Sequence, residues 1–329
     1  MVGTSFSASV YIVVLNWNNF TVTAECLRSL EGMVGASFKI LVVDNGSSDE
    51  SVQFLREAFP RIEIIANKVN LGFAGGCNVG MRRASEDGAE YILLVNNDTV
   101  VDPFLLQELL KEAHAHPQVG ILSPKIYYFD PSNAIWWAGG RFNMWTGLAT
   151  HIDLRKTDVE RNDQPRDLDW ATGCVMLLRT EALRETGLFD EQLFNTGEDV
   201  DLSLRMRAVG FAVRYVPTAR LWHKESVDIR KNVGRHVRAF MAARNLLWVM
   251  HKHARIYHWI SFWPVFGGFY LPKMILISLR THDRRSCISI LQGVLAFWRM
   301  LLMPGTSVLP DELKATTVQN SFPKQVAIK

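Results

Sequence analysis

Residues 91–99 read YILLVNNDT, an apolar, strand-like run that ends on Asn96, Asn97 and Asp98 before Thr99. A turn needs one or two oxygen-bearing side chains and a helix cap needs one. Three in succession at a strand end therefore point to a site as well as to punctuation. The stretch closes a regular series. SVYIVVLN (9–16), FKILVVDN (38–45) and RIEIIAN (61–67) are likewise apolar, and helix-like segments separate them: TVTAECLRSLEG (21–32), SDESVQFLREAF (48–59) and AGGCNVGMRRAS (74–85). Continuous apolar strands, each followed by a helix, predict an α/β fold with a mostly parallel sheet covered on both faces. Asp102-Pro103 predicts a further helix start just beyond the Asn-Asn-Asp.

The chain has 329 residues, enough for one large or two ordinary domains, and with 48% hydrophobic and 21% charged residues it is not a disordered sequence. A net charge of +3 is too small to argue for nucleic acid, and none is expected as a partner. The four cysteines, Cys26, Cys77, Cys174 and Cys287, are widely spaced and form no CxxC pair, so reduced thiols in a cytosolic setting are expected. The opening MVGTSFSASVYIVVLN has neither a basic region nor a cleavage-like site, and no signal peptide is expected.

Beyond residue 126 the pattern loosens. Residues 127–154 are rich in Gly, Asn and aromatics, which suits hairpins and long loops, and 155–167 reads as a polar surface segment. Residues 170–211 offer a strand, a short helix, a loop and a longer helix. From about 235 basic clusters surround a stretch, 256–279, that contains no acidic residue. Its length permits a membrane span of ~20 residues, but Pro264, Pro272, Gly267-Gly268 and Lys273 weaken one. A basic, aromatic-rich segment lying on a membrane surface is the expectation, and a soluble helical lobe with an aromatic core is the alternative.

In an open α/β sheet ligands collect at the carboxyl ends of the strands, and three early strands end in polar side chains that could serve there: Asn16-Trp17-Asn18, Asp44-Asn45-Gly46-Ser47-Ser48-Asp49 and Asn96-Asn97-Asp98. Asp44, at the last strand position, can reach a ribose or base edge, whereas Asp49 reads as a helix cap. NKVNLGFAGGCNVG (67–80) lets backbone amides and a helix N-terminus approach phosphate. It is neither GxGxxG nor GxxxxGK[ST], so a Rossmann dinucleotide site and a P-loop are not supported. Asp98 is a hard-oxygen ligand suited to Mg2+ or Mn2+. FNTGEDVDLSLRMR (194–207) supplies Glu198, Asp199 and Asp201, three acids in four residues, which exceeds what a helix dipole asks for and suits proton abstraction from a hydroxyl. His223 follows a strand-like stretch; alone it reads as structural.

Taken in order, VVLNWNN, VVDNGSSD, NLGFAGGCNVG, LLVNNDT, WATGCVMLLR and GLFDEQLFNTGEDVDLSLRMRAVGF resemble glycosyltransferase family 2, with its GT-A fold, and more closely its bacterial rhamnosyltransferase-like branch. The resemblance spans about 9–225. It implies that Asn16, Asn18 and Asp44 hold the nucleotide's base and ribose, and that Asn70, Gly72 and Asn78 line the sugar-nucleotide pocket. Asn96, Asn97 and Asp98 stand where the family has its Asp-x-Asp metal motif. That makes Asp98 the ligand of a divalent cation, with Asn96 and Asn97 as helpers. The departure is Asn96, where many relatives carry an acid. Asp199 matches the family's catalytic base, beside Glu198, and His223 matches a histidine that completes the metal shell in related enzymes. Trp170 is implied as a sugar-stacking wall of the acceptor site and Arg205 as an orienting group there.

The activity implied is inverting, metal-dependent transfer of a sugar from a dTDP- or UDP-linked donor, dTDP-rhamnose being a candidate, to a lipid-linked or cell-surface glycan. The implied location is the cytoplasmic face of a bacterial inner membrane, peripheral rather than spanning. The implied organisation is a GT-A domain over 1–232, with a nucleotide-sugar half to about 100 and an acceptor half to 232, and a basic, aromatic helical region over 233–329. A sugar-phosphate nucleotidyltransferase is an alternative, but it needs a cationic glycine-rich loop after strand one, where Asn16-Trp17-Asn18-Asn19-Phe20 offers no cation. A non-catalytic glycan-binding scaffold would lack the base or metal residue, yet Asp98, Asp199 and His223 are all present.

Overall fold

The computed structural model describes residues 8–159, 163–225, 234–303, 308–310 and 313. β1 (Val10–Asn16), β2 (Lys39–Asp44), β3 (Glu63–Ala66) and β4 (Tyr91–Asn96) pair in parallel in the order β3-β2-β1-β4, as the apolar runs predict. Ile12 and Val14 of β1 and Val42 and Val43 of β2 are wholly buried. Each such side chain gives ~1.5–3 kcal/mol relative to exposure. α1 (Phe20–Glu31), α2 (Ser51–Ala58) and α3 (Gly72–Glu86) connect them. α3 presses closely on the sheet: a Cβ added at Gly80 would lie 2.4 Å from a Val13 methyl. Part of the glycine-rich signature is thus helix-to-sheet packing.

After β5 (Thr99–Val101) and α4 (Leu105–Ala115) the chain builds the other half of the sheet. β6 (Val119–Tyr128) carries β7 (Ile135–Trp137) on its edge, and β8 (Gly140–Asn143) and β9 (Leu148–His151) form a separate hairpin. β10 (Arg166–Asp167) leads to β11 (Val175–Arg179), which runs antiparallel between β4 and β6. α5 (Thr180–Thr186) and α6 (Glu198–Ala208) precede the long β12 (Ala212–His223), parallel to β6 and capped at its far end by β5. Reversing β11 sets its first residues beside the last residues of β4. The end of β12 arrives at the same edge through the pair His223 and Thr99.

The expected boundary at 232–233 lies outside the described residues, as do 1–7 and 314–329. α7 (Arg235–His253) follows, then a continuous helical rod over Ile256–Arg280 made of α8 (Trp259–Val265), a π-turn at Phe266–Tyr270 and α9 (Leu271–Arg280). The prolines and glycine pair do not break it. Pro272 lacks an N–H and its ring crowds the carbonyl four residues back, and the wider π register takes up that mismatch. α10 (Arg284–Leu302) folds back, Asp283 capping it through Ser286 N. A Cβ at Gly293 would lie 2.4 Å from the Phe240 carbonyl oxygen, so α10 rides directly on the α7 backbone. Its outer face, with Ile288, Leu291, Leu295, Trp298 and Leu302, is exposed, as are Ile260, Phe269 and Ile277 on the rod. Both helical segments are long and apolar enough to cross a membrane by length and composition.

Candidate active site

β1 and β2 end in register, Asn16 opposite Asp44, and Leu15 stands opposite Asn96 of β4. Asn16, fully buried, donates to Asp44 Oδ1 at 2.7 Å and accepts from Thr23 Oγ1 at 2.7 Å. Asp44 also accepts from Ser47 Oγ at 2.6 Å and Ser47 N at 3.0 Å. Asn18, at φ +51°, donates its N–H to Ser47 Oγ and accepts from Ser48 N, each at 2.8 Å. Asn97 donates to Thr23 Oγ1 at 2.9 Å, so one α1 hydroxyl ties the end of β1 to the turn after β4.

Asn45 organises the glycine-rich approach. Its amide donates to Asn70 Oδ1 at 2.9 Å and Gly72 O at 3.0 Å, and its oxygen accepts from Leu71 N at 3.1 Å. Asn70 Oδ1 in turn accepts from Gly72 N at 2.8 Å. Gly72 has φ +74°, and an added Cβ would stand 2.5 Å from the Phe194 carbonyl oxygen. Only glycine fits both demands.

Asn96 donates its backbone N–H to Cys174 O at 2.8 Å. Asp98 is buried, and His223 Nε2 lies 3.1 Å from its Oδ1. The imidazole packs edge-on against Trp136, ring centroids 4.5 Å apart, and its Nδ1 has no hydrogen-bond partner among the described residues. Among the described residues no third His, Cys, Asp or Glu closes a cage around this pair. Such a donor set fits a hard cation whose remaining positions are filled by phosphate oxygens and water.

The acidic pair sits across the same edge. Gly173 N donates to Asp199 Oδ2 at 3.0 Å, and the next residue, Cys174, is the one that accepts from Asn96. Glu198 is buried with Oε2 unbonded among the described residues. Burial and then the Asp199 charge push the Glu198 carboxyl up to about 8. Burial also raises Asp199, against the pull of the Gly173 and Val200 N–H groups. Burial would raise Asp201 too, but His253, Arg205 and Lys252 together hold it below the ordinary carboxylate range. Asp201 is therefore an anchor for α6 and not part of the pair. The loop before α6 is strained, with φ of +59° at Phe194, +79° at Thr196 and +94° at Gly197. Left-handed backbone costs ~1–2 kcal/mol at each residue bearing a Cβ.

Three expected residues are placed otherwise. Trp170 is 5% exposed, donates Nε1 to Arg141 O at 3.2 Å and packs on Trp137 and His151. It is a core residue with no free face for stacking a sugar. Arg205 turns inward to Asp201 Oδ2 at 2.9 Å and to the carbonyls of Thr186, Gly187 and Leu188, so it braces α6 instead of orienting an acceptor. Asn78 holds Phe189 through both its side-chain N–H and its carbonyl oxygen and reaches Glu191 at 2.9 Å, a clamp on the 189–191 segment. Conversely Thr23 is a hub that the sequence did not single out, and Asn45 and Ser47, read in the sequence only as part of a polar strand-end run, are hubs as well. Each sits one to seven residues after a strand end, and that proximity was the available signal.

The model of the family described as "Glycosyltransferase like family 2" matches residues 8–242. The N-acetylglucosaminyl-diphospho-decaprenol L-rhamnosyltransferase of Mycobacterium tuberculosis is 24% identical over 282 residues, covering 79% of this chain and 90% of that protein. The O-antigen biosynthesis protein RfbC of Myxococcus xanthus is 31% identical over 202 residues, 59% of this chain and 15% of that protein. The solved mannosyltransferase PcManGT from Pyrobaculum calidifontis, in complex with GDP-Man and Mn2+, superposes with a TM-score of 0.53 at 14% identity, covering 88% of this chain and 86% of that one. That likeness is one of fold, and the fold is GT-A. With more than half its length matched by the family model and its strand ends built as described, the chain belongs to glycosyltransferase family 2.

Proposed function

We propose that this glycosyltransferase moves a sugar, with rhamnose from dTDP-rhamnose as the leading candidate and a UDP-linked sugar as the other, onto a hydroxyl of a lipid-linked glycan, with inversion and with a divalent cation. The carrying observation is the junction at β11. Gly173 N–H holds Asp199 and the adjacent Cys174 carbonyl holds Asn96, which fixes the acidic pair beside the strand end that carries Asp98. This supports a reading in which a base for the nucleophile and a charge-bearing site for the diphosphate lie within one substrate's reach.

The geometry supports the following roles. Asp44 has three protein donors and, with about four acceptor positions on a carboxylate, keeps one for a ribose hydroxyl. Asn16 and Ser47 orient it, and Asn70 and Gly72 shape the approach to the donor sugar. Asp98 and His223 would hold Mg2+ or Mn2+, which supplies charge neutralisation for the leaving diphosphate. Asp199, its carboxyl raised above the ordinary value by burial, takes the proton from the acceptor hydroxyl as the new glycosidic bond forms on the face opposite the departing nucleotide. Glu198, held protonated at neutral pH by burial beside Asp199, keeps a second negative charge away from the base.

The exposed apolar faces of α9 and α10, flanked by Lys273, Arg284 and Arg285, support contact with an anionic membrane surface where a lipid-linked acceptor resides. The M. tuberculosis relative's name specifies such an acceptor for that protein. The test is transfer from a panel of nucleotide sugars with and without Mn2+, in the wild-type chain and in Asp199→Asn. Loss of a proton acceptor should lower kcat by ~100-fold or more while nucleotide binding persists. A fully active Asp199→Asn enzyme would remove the mechanism.

A further inference from the structure

The acidic pair stands on a loop that does not hold itself. Phe194, Thr196 and Gly197 all lie at positive φ, so an outside restraint must fix them. α7 supplies it with two adjacent polar side chains in an otherwise apolar stretch. Asn245, 2% exposed, points Nδ2 at the carbonyl oxygens of Leu193, Asn195 and Thr196, at 2.8, 2.9 and 2.7 Å. Arg244, wholly buried, donates from Nη2 to the carbonyls of Gln192 at 2.8 Å and Leu193 at 3.2 Å, and from Nη1 to Val308 O at 2.6 Å.

The remaining contact orders the other two. Arg244 Nε donates to Asn245 Oδ1 at 2.8 Å. That bond consumes the amide oxygen and leaves only the NH2 facing the loop. Four consecutive loop residues are then gripped at three carbonyls by one amide. Phe194 is held from the other side, where its own carbonyl accepts from Ala74 N at 3.1 Å. The loop is thus pinned between the glycine-rich start of α3 and the middle of α7. Glu198 begins immediately after it.

We propose that Asn245, oriented by Arg244, is a positioning residue for sugar transfer: it fixes the 193–196 loop so that Glu198 and Asp199 enter α6 with the base aimed at the acceptor hydroxyl. This rests on Asp199 being the base. The loop's Thr196 N–H also touches the Glu198 carboxyl, so a change in loop geometry alters the proton balance of the pair. Among the described residues the other ionisable groups facing the pair are Cys77 on α3 and Asp201, the latter neutralised by Arg205, Lys252 and His253.

The experiment compares the full-length chain with Asn245→Asp, Asn245→Ser and Arg244→Lys. Asn245→Asp keeps the shape but faces carbonyl oxygens with oxygen. It should lower kcat ~100-fold, the scale of an ångström-sized misplacement of a reacting group, with KM for the nucleotide sugar within about twofold and the acid limb of the kcat–pH profile displaced. Arg244→Lys, which loses the fork but keeps a charge, should show the same split in weaker form. If Asn245→Asp fails to fold, Asn245→Ser carries the test. Folded variants with wild-type kcat and an unmoved pH profile would overturn the proposal, as would a kcat loss fully accounted for by loss of folded protein. Asp199→Asn run alongside separates the two readings. An active Asp199→Asn enzyme overturns the base assignment, whereas an inactive one beside unaffected Asn245 variants overturns positioning alone.

Discussion

Glu198→Gln gives a direct measure of how the acidic pair is built. Burial first, then the Asp199 charge, moves the Glu198 carboxyl from 4.5 up to about 8. In the unfolded chain the group titrates at its ordinary value, so between the two values the folded chain binds the extra proton. The stabilising contribution of the neutral acid is fully present below about 4.5 and is lost as pH rises through about 8. Each pH unit of displacement is worth ~1.4 kcal/mol, so the charged form is disfavoured on the order of 3–5 kcal/mol in the folded state. Glutamine keeps the shape and cannot ionise. The variant should match the wild type within ~1 kcal/mol near pH 5 and exceed it by on the order of 3–5 kcal/mol near pH 9. Urea unfolding followed by tryptophan fluorescence across that range reads the difference, and comparison of two otherwise identical chains cancels all other titrations. Two parallel stability–pH curves would refute the claim that Glu198 is buried as a neutral acid.

Three further outcomes can be checked. Asp98→Asn should weaken cation binding by at least ~10–100-fold, seen as loss of Mn2+-dependent thermal stabilisation by UDP or dTDP; an unchanged shift would exclude Asp98 as a ligand. Gly72→Ala and Gly88→Ala both force a side chain to positive φ, at ~1–2 kcal/mol, but only Gly72 also meets the Phe194 carbonyl at 2.5 Å, whereas nothing lies within 4 Å of Gly88. Urea denaturation should show the larger loss at Gly72, and equal losses would remove the contact from the account. Leu291→Lys with Leu295→Lys places two charges on the exposed face of α10 and should release the protein from anionic vesicles in a flotation assay; undiminished binding would assign the membrane contact elsewhere.

The first half of the fold was legible because its strands are buried on both faces. Every residue from Val10 to Val14 is apolar and buried, the run expected of a strand covered on both faces. The second half was legible only as segments. β11 and β12 insert in an order that no local pattern announces, and the two-residue β10 pairs with β12 through Arg166 and Asp167, polar residues within a polar stretch. At the candidate site, the strand-end positions of Asn16, Asp44 and Asp98 could be read from the sequence, since period and length fix where a strand stops. Trp170 and Arg205 were misplaced because a residue type indicates what a side chain can do and not which way it faces. A tryptophan with its indole N–H satisfied by a carbonyl, and an arginine saturated by one carboxylate and three carbonyls, look in sequence like any sugar platform or cation.

The C-terminal helices carry the larger lesson. Read as composition, residues beyond 235 are a basic, aromatic appendage. Packing joins α7 to the sheet's own elements: Trp248 and Lys252 both reach Asp190 Oδ2, at 3.0 and 2.8 Å, and His253 reaches Asp201 Oδ1 at 2.8 Å. One side of α7 therefore grips the 190–201 segment, and at Gly293 α10 lies close against its backbone. The exposed apolar face of α10 and the loop that leads into the acidic pair are attached to a single 19-residue helix. A truncation that removes α7 with the apolar pair should abolish transfer even on a soluble acceptor, because the 193–196 carbonyls lose their donors. One that stops after His253 should keep the loop's clamp from Asn245. Transfer rates of the two truncations on a water-soluble acceptor distinguish a membrane tether from a structural member of the site, and equal activity in both would make α7 a tether only.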